Sequence, residues 1–497
     1  MAVITPTKTA KGINGFKGSN GVRDGGLQTR LPNATPTTTA NVLDIAPPAD
    51  GEHSSADNGI CPLPIRAPRL PSKPASKHTF RPRVYSSHFP HPKAPTTEQA
   101  IKSIPNLHSA QDLIEFWKYP GEAHSVETKD GYILGLYRIP NPQHGFTAYT
   151  APTPYKRPPV IIWHGLCISS NAFLCSPGGT DTNLALYLAS EGFDVWLANS
   201  RGSRASRRHA KMPSPDEIMF HSKYWKYVGM DEMAKFDVPA VVDYVIAATG
   251  WKKVGYVGFS QGTAQMFMSL SMSEEMNSKI AFFAALAPAM KPKGMRRPKI
   301  ANRVLTRLTS YSPSLLFVMG CWSALPTAEW LRGRLFNKGY AQVIHSSLEV
   351  LMGWKNNKFP KEWWPALYMH LFAGGSVRNI VHWFQIITEQ NFAPYDHEIA
   401  PHHLLPSHSS SRSKPPSLAG ATLTHSIPTF APTRTGPCPY PTQHITVPMR
   451  LFCGTEDNIS AEPAVFKQSL PEARIETVEG YEHMVSKPFL RTDTHIR

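Results

Sequence analysis

Three strand-like segments in this chain are each followed by a loop carrying one reactive side chain. The order of those side chains restricts the fold more than anything else in the sequence. Val254 to Val257 read as a buried strand and Thr263 to Met272 carry no helix breaker. Between them, Gly258-Phe259-Ser260-Gln261-Gly262 sets Ser260 on a sharp strand-to-helix turn with its hydroxyl exposed. The five-residue string is weak evidence alone, since ordinary Gly and Ser usage produces it by chance in about one chain of this size in six. The flanks add weight. Pro159 to Trp163 end in His164-Gly165-Leu166, a loop able to bring a backbone N–H to an attacked carbonyl. Met449 to Cys453 open into Gly454-Thr455-Glu456-Asp457, which puts an acid at the carboxyl end of a strand, where open parallel sheets bind ligands. A helix-like stretch from Ala461 to Leu470 and a last strand from Arg474 to Val478 lead to Gly480-Tyr481-Glu482-His483.

The order Ser, Asp, His is that of the α/β-hydrolases, which predicts a mostly parallel central sheet with helices on both faces. The chemistry requires these residue types together. A serine hydroxyl is a poor nucleophile until an imidazole removes its proton, the role expected of His483. The second imidazole nitrogen must donate to a carboxylate that fixes the tautomer and stabilises the imidazolium, the role expected of Asp457. The Leu166 and Gln261 N–H groups are the expected oxyanion donors, at roughly 3 kcal/mol each in barrier reduction. Duller readings stand beside these. Asp457 can cap the helix that follows, Glu456 is a rival acid, Ser260 can be an ordinary turn residue, and His483 is one of 21 histidines singled out only by position. His209 and His221 follow no recognisable strand end and read as surface or cap residues.

Longer strings carry a resemblance. They include Leu113-Ile114-Glu115-Phe116-Trp117-Lys118-Tyr119-Pro120, Glu127-Thr128-Lys129-Asp130-Gly131-Tyr132, Asp194-Val195-Trp196-Leu197-Ala198-Asn199-Ser200-Arg201-Gly202, Asp231 to Ala240, and Val381-His382-Trp383-Phe384-Gln385. In these the chain resembles the acid lipase family, which includes lysosomal and gastric lipases and fungal steryl ester hydrolases, over roughly Leu107 to Asp396 and Pro441 to His483. The resemblance implies the same triad, Ser260, Asp457 and His483, with oxyanion donors Leu166 and Gln261, and an ester substrate with long acyl chains. Three departures stand out. Phe259 occupies a position where the family usually has histidine. A Ser/Pro/His-rich stretch, 398–440, reads as an inserted surface loop. After His483 the chain runs Met484-Val485-Ser486-Lys487-Pro488, where the family usually continues through an apolar helix.

Composition bounds the remainder. Residues 1–105 hold 15 prolines and 13 Lys/Arg against 6 Asp/Glu, so 13 minus 6 gives +7, and the segment reads as a disordered basic tail. The other +9 of the net +16 includes Arg201, Arg204, Arg207, Arg208 and Lys211, read as a surface basic run suited to an anionic membrane or to solvation. No zinc-finger, helix-turn-helix or strand-stacking motif accompanies it, which disfavours nucleic acid. Six cysteines are too sparse for a disulfide framework, lack metal-ligand spacing and read as reduced thiols, so no metal and no cofactor is expected. The first residues lack the apolar core of a signal peptide, so an intracellular enzyme on lipid droplets or membranes is expected, a vacuolar or lysosomal one remaining open.

The expected layout is a hydrolase core over 106–290 and 441–497, interrupted by a helical cap over 291–397. The cap holds six of the eleven tryptophans, Trp322, Trp330, Trp354, Trp363, Trp364 and Trp383. Leu308 to Ala328 is uncharged yet interrupted by Pro313 and Pro326, which favours a cap element over a membrane span. An apolar lid suits a lipid ester, so the expected activity is hydrolysis of steryl esters or triacylglycerols. A lipid-binding scaffold without turnover and acyl transfer on the same residues are the alternatives.

Overall fold

The computed structural model describes residues 94–140, 158–213, 222–292, 331–356, 358–396 and 437–483. Most of the tail, Leu308 to Ala328, Trp322, Trp330, His221, the Ser/Pro/His-rich stretch up to residue 436 and the residues after His483 lie outside them.

Among the described residues one sheet contains β1 (Glu122–Glu127), β2 (Tyr132–Ile139), β3 (Val160–Trp163), β4 (Val195–Ala198), β5 (Arg208–His209), β6 (Val254–Phe259), β7 (Ile280–Leu286), β8 (Met449–Gly454) and β9 (Arg474–Val478). Their order is β1-β2-β4-β3-β6-β7-β8-β9, with β5 paired to β2. β2 runs antiparallel to β1 and β4, while β4, β3, β6, β7, β8 and β9 run parallel. Every residue of β3, β4 and β6 is buried, the mark of parallel strands covered on both faces, and the reason these segments read as unbroken apolar runs.

Strand alternation divides the apolar residues into two cores. Ile161, Trp163, Trp196 and Tyr256 face one side, and Ile162, Leu197 and Val257 face the other. The helices that cover them are α1 (Thr97–Ser103), α2 (Ala110–Phe116), α3 (Leu184–Ser190), α4 (Val238–Thr249), α5 (Gln261–Met272), α6 (Asn337–Met352), α7 (Val377–Glu389) and α8 (Pro463–Ser469). The first core holds Val241, Val242 and Val245 of α4, Met266, Phe267 and Leu270 of α5 and Phe466 of α8. The second holds Leu113 and Ile114 of α2 and Ala185 and Leu186 of α3. Tyr340, Ile344 and Leu348 of α6, one helical face, join the second core, and Trp383 and Ile386 of α7 join the first. The helices of 331–396 therefore pack directly on the hydrolase core.

Four expectations are corrected. Part of the segment expected to be a disordered tail is folded: Thr96 and Gln99 form a capping box at the start of α1, whose Ala100 is buried together with Ile104. A seven-residue helix with one buried position leaves too little periodicity to be seen in a proline-rich context. The supposed inserted loop also ends early, since Tyr440 is buried against Phe392 and donates to Asp231 Oδ1 at 2.6 Å. Cys167, Cys175 and Cys453 are buried thiols, but Cys438 is in a disulfide, a pairing set by spatial proximity and invisible to spacing.

The fourth correction concerns Arg201. It belongs to no surface patch: its side chain is fully buried, donating from Nε to Asp237 Oδ1 at 2.8 Å and from both terminal nitrogens to Asp130 at 2.6 and 2.9 Å. Its guanidinium also lies 4.0 Å from the centre of the Tyr132 ring. Asp237 ends a π-helical turn, Met233–Asp237, that runs into α4. Pro239 has no N–H to continue the regular ladder, and the wider turn accommodates it. Replacing Arg201 by Met leaves Asp237 buried without its cation, so R201M is expected to lose about 3–5 kcal/mol in urea unfolding. The same change at the exposed Arg208 should cost less than about 0.5 kcal/mol.

Candidate active site

Because β3, β6, β8 and β9 run parallel, the loops after them emerge at one edge of the sheet. That alone gathers residues 164–166, 260, 457 and 483, which are up to 319 positions apart by subtraction of their numbers.

Ser260 joins β6 to α5 with φ 52° and ψ −118°, a strained conformation for a residue with a side chain, worth about 1–3 kcal/mol. Its neighbours hold it there. Ser260 N donates to Leu286 O at 3.0 Å, and Ser260 O accepts from Thr263 N at 2.9 Å and Thr263 Oγ1 at 2.6 Å. Gly262 is required by space: a Cβ there would lie 2.6 Å from Trp163 O and 2.8 Å from His164 O. The turn is half-buried and carries the hydroxyl at the edge of the sheet.

One hydrogen-bonded chain joins the three side chains picked out by the sequence. His483 Nε2 lies 2.7 Å from Ser260 Oγ, and His483 Nδ1 lies 2.8 Å from Asp457 Oδ2. Asp457 also accepts at Oδ1 from Ile459 N at 2.8 Å and Ser460 N at 3.0 Å, and at Oδ2 from Ser460 Oγ at 2.6 Å. Burial works against its charge, but the His483 charge and the hydrogen bonds from His483 and Ser460 outweigh it and bring the carboxyl pKa down to about 2. Glu456, the rival acid, is exposed. Asp457 closes the 457–460 turn without capping α8, whose N-cap is Glu462. The histidine loop is tied to the acid loop by Glu456 N to Tyr481 O at 3.0 Å and Gly480 N to Thr455 Oγ1 at 2.8 Å. A Cβ on Gly454 would lie 2.2 Å from Tyr481 O, so these loops meet only over a glycine.

The expected oxyanion loop adjoins the serine. A Cβ on Gly165 would lie 3.0 Å from Ser260 Cβ, which sets the Gly165-Leu166 peptide beside Ser260. Gln261 opens α5, where the N–H groups of a helix have no intrahelical partner. Its buried side chain accepts from Trp383 Nε1 at 2.9 Å, which fixes it away from solvent.

Sequence reasoning missed the supports around these residues. His164 is buried and its pKa is lowered to about 4 by burial, so it is neutral. Ser200 N donates to its Nε2 at 3.1 Å, leaving Nδ1 to donate to Gly165 O at 2.8 Å, so the ring braces the loop that contains Leu166. Ser460, three residues past Asp457, was legible only as the end of an Asx-type turn. Trp354 and Glu482 carried no signal, because their partners lie more than a hundred residues away. His209 is half-buried and packs edge-on against Tyr132, with its Nε2 3.1 Å from Asp130 O. Among the described residues no group of three or more His, Cys, Asp or Glu side chains forms a metal-binding cluster, and no helix is long and apolar enough to cross a membrane.

The sheet order and the strand-serine-helix turn define an α/β-hydrolase. Residues 158–311 match the α/β hydrolase fold family, and 110–177 match the partial α/β-hydrolase lipase region. A probable lipase of Schizosaccharomyces pombe is 32% identical over 383 residues, covering 76% of this chain and 73% of that protein. Human lipase member K is 35% identical over 59% of this chain and 69% of its own length. Rat gastric triacylglycerol lipase is 32% identical over 59% of this chain and 70% of its own. The chain belongs to the acid lipase family of α/β-hydrolases and is a carboxylic ester hydrolase.

The depressed Asp457 pKa has a pH signature. A carboxyl whose folded pKa lies below its unfolded value, about 3.9, stabilises the fold fully above that value and loses the contribution as pH falls through about 2. Urea unfolding from pH 6 to pH 2 should therefore show a wild-type advantage over D457N of about 2 kcal/mol at pH 6 that shrinks steadily below about pH 4.

Proposed function

We propose that this protein hydrolyses long-chain lipid esters, steryl esters or triacylglycerols, through an acyl intermediate on Ser260. The observation that carries the reading is the unbroken hydrogen-bonded chain from Asp457 through His483 to Ser260. As Ser260 Oγ attacks the ester carbonyl, its proton passes to His483 Nε2, and Asp457 stabilises the imidazolium. The tetrahedral oxyanion is held by the Leu166 and Gln261 N–H groups, whose dipoles are aimed before the reaction begins. Collapse breaks the bond to the alkoxide, which takes the proton from His483 and leaves as the alcohol. Water then gives a proton to His483 Nε2 and attacks the acyl carbonyl. The bond to Ser260 Oγ breaks, Oγ recovers the proton, and the carboxylic acid departs.

Two observations support a lipid over a small soluble ester. The relatives include a gastric triacylglycerol lipase. In addition, Phe336, Val343 and Val350 are 93%, 43% and 64% exposed and recur every seven residues, so they line one outer face of α6 and the residue before it. Such a stripe fits adsorption to a lipid droplet or membrane surface, with the 331–396 helices acting as a cap over the acyl chain.

The test compares cholesteryl oleate, trioleoylglycerol and a short soluble ester with purified wild type and S260A. Wild type is expected to cleave a long-chain lipid, the ratio of the two naming the preferred head group, while S260A keeps its far-UV spectrum and loses turnover by about 10⁶-fold. Retained activity in S260A removes Ser260 from the mechanism. A folded wild type that cleaves nothing and resists a fluorophosphonate probe is a binding scaffold instead.

A further inference from the structure

Among the described residues, the backbone ties between the loop of His483 and the acid loop run no further than residue 481. Two hydrogen bonds then hold its ring, one at each nitrogen. Together with the Cβ–Cγ bond they set where the ring sits, and the groups packed on its faces limit how far it can tilt about its side-chain torsions. The segment after α6 does this. Gly353, with φ 72°, ends α6 and donates to Glu349 O, and the chain turns back toward the histidine loop. The Trp354 ring, buried, lies nearly parallel to the imidazole at 18°, with centroids 5.4 Å apart, while Phe259 meets the imidazole at 42° and 5.6 Å. The next two amides, Lys355 N and Asn356 N, donate one to each oxygen of Glu482, both at 2.9 Å. Lys358 Nζ lies 5.3 Å from the centre of the Tyr481 ring. Trp354, Lys355, Asn356 and Lys358 thus hold residues 483, 482 and 481 between them.

The geometry points to Trp354 and Glu482 as positioning residues for His483, with their main effect on the second half of the reaction. During attack by Ser260 the imidazole is pinned at both nitrogens. Once Ser260 carries the acyl group its oxygen no longer has a proton to share, and of the two hydrogen bonds on the ring the one to Asp457 remains. The Trp354 stack and the Glu482 clamp then keep Nε2 aimed at the incoming water. A misplacement on the order of 1 Å costs about 100-fold at such a step. This rests on the acyl-serine reading above.

The experiment separates the two half-reactions in the full chain. A long-chain fluorophosphonate reports attack by Ser260, and steady-state turnover of p-nitrophenyl butyrate, an activated ester, reports release of the acyl group. W354L is expected to be phosphonylated within about threefold of the wild-type rate while its kcat falls about tenfold or more and KM falls with it, the pattern of an accumulating acyl-enzyme. E482Q should show the same pattern more weakly, since its NH2 group cannot accept the N–H that one carboxylate oxygen of Glu482 takes. W354F, which keeps a stackable ring and guards against loss of folding, should recover most of the turnover. An unchanged kcat in W354L, or phosphonylation and kcat falling together in both W354L and E482Q, overturns the assignment. Absence of phosphonylation in the wild type overturns the serine reading itself, and is told apart because it needs no variant.

Discussion

The structure depends on the close approach of Gly262 to the carbonyl oxygens of Trp163 and His164. Where α5 begins it lies directly against the end of β3, with no room for a methyl group. That contact brings the strained Ser260 turn beside the His164-Gly165-Leu166 loop and holds the backbone at φ 52°. The strain is sustained by hydrogen bonds from Thr263 and to Leu286, and by the two cores that clamp β6 on both faces. A looser turn would move the hydroxyl away from His483 and from the proposed oxyanion amides together.

Electrostatics at the site follow from the same burial. Asp457 keeps its charge because a histidine, a serine hydroxyl and two amides face it, while the neighbouring Glu456 remains exposed and plays no such part. His164 shows the opposite outcome of burial: with no carboxylate partner it stays neutral, and a fixed tautomer makes it a brace. The buried Arg201 pair with Asp130 and Asp237 anchors the loop after β4 to α4 and to the β1-β2 hairpin. In the proposed mechanism Asp457 serves the chemistry, while His164 and Arg201 brace the scaffold, though all three are polar groups in an apolar setting.

Much of this was legible beforehand, for identifiable reasons. Strand β9 falls where expected, from Arg474 to Val478, although it carries two charged residues and buries none, and β3, β6 and β8 appeared as short, mostly apolar runs. Parallel strands covered on both faces leave that signature whatever surrounds them. Helix α8 begins two residues later than its apolar pattern, at Pro463, since proline favours the first turn. The errors fell where local pattern carries no information. A basic residue in a basic run looks solvated until the carboxylates facing it from other elements are known, as with Arg201. The disulfide at Cys438 and the helix α1 are equally matters of what lies opposite.

By itself the sequence determined the chain order of Ser260, Asp457 and His483, the strand ends that carry them and the glycines that let their loops pass, because these depend on residue type and local periodicity. Tertiary structure alone decided which acid meets the histidine, that Trp354 stacks on it, and that Glu482 ties its loop to the segment after α6. The physical reason is that a hydrogen bond or a stacked ring across 126 or 129 positions leaves no periodic trace in the chain. Such contacts exist only once the sheet has brought distant strand ends to one edge and the cap helices have packed against it.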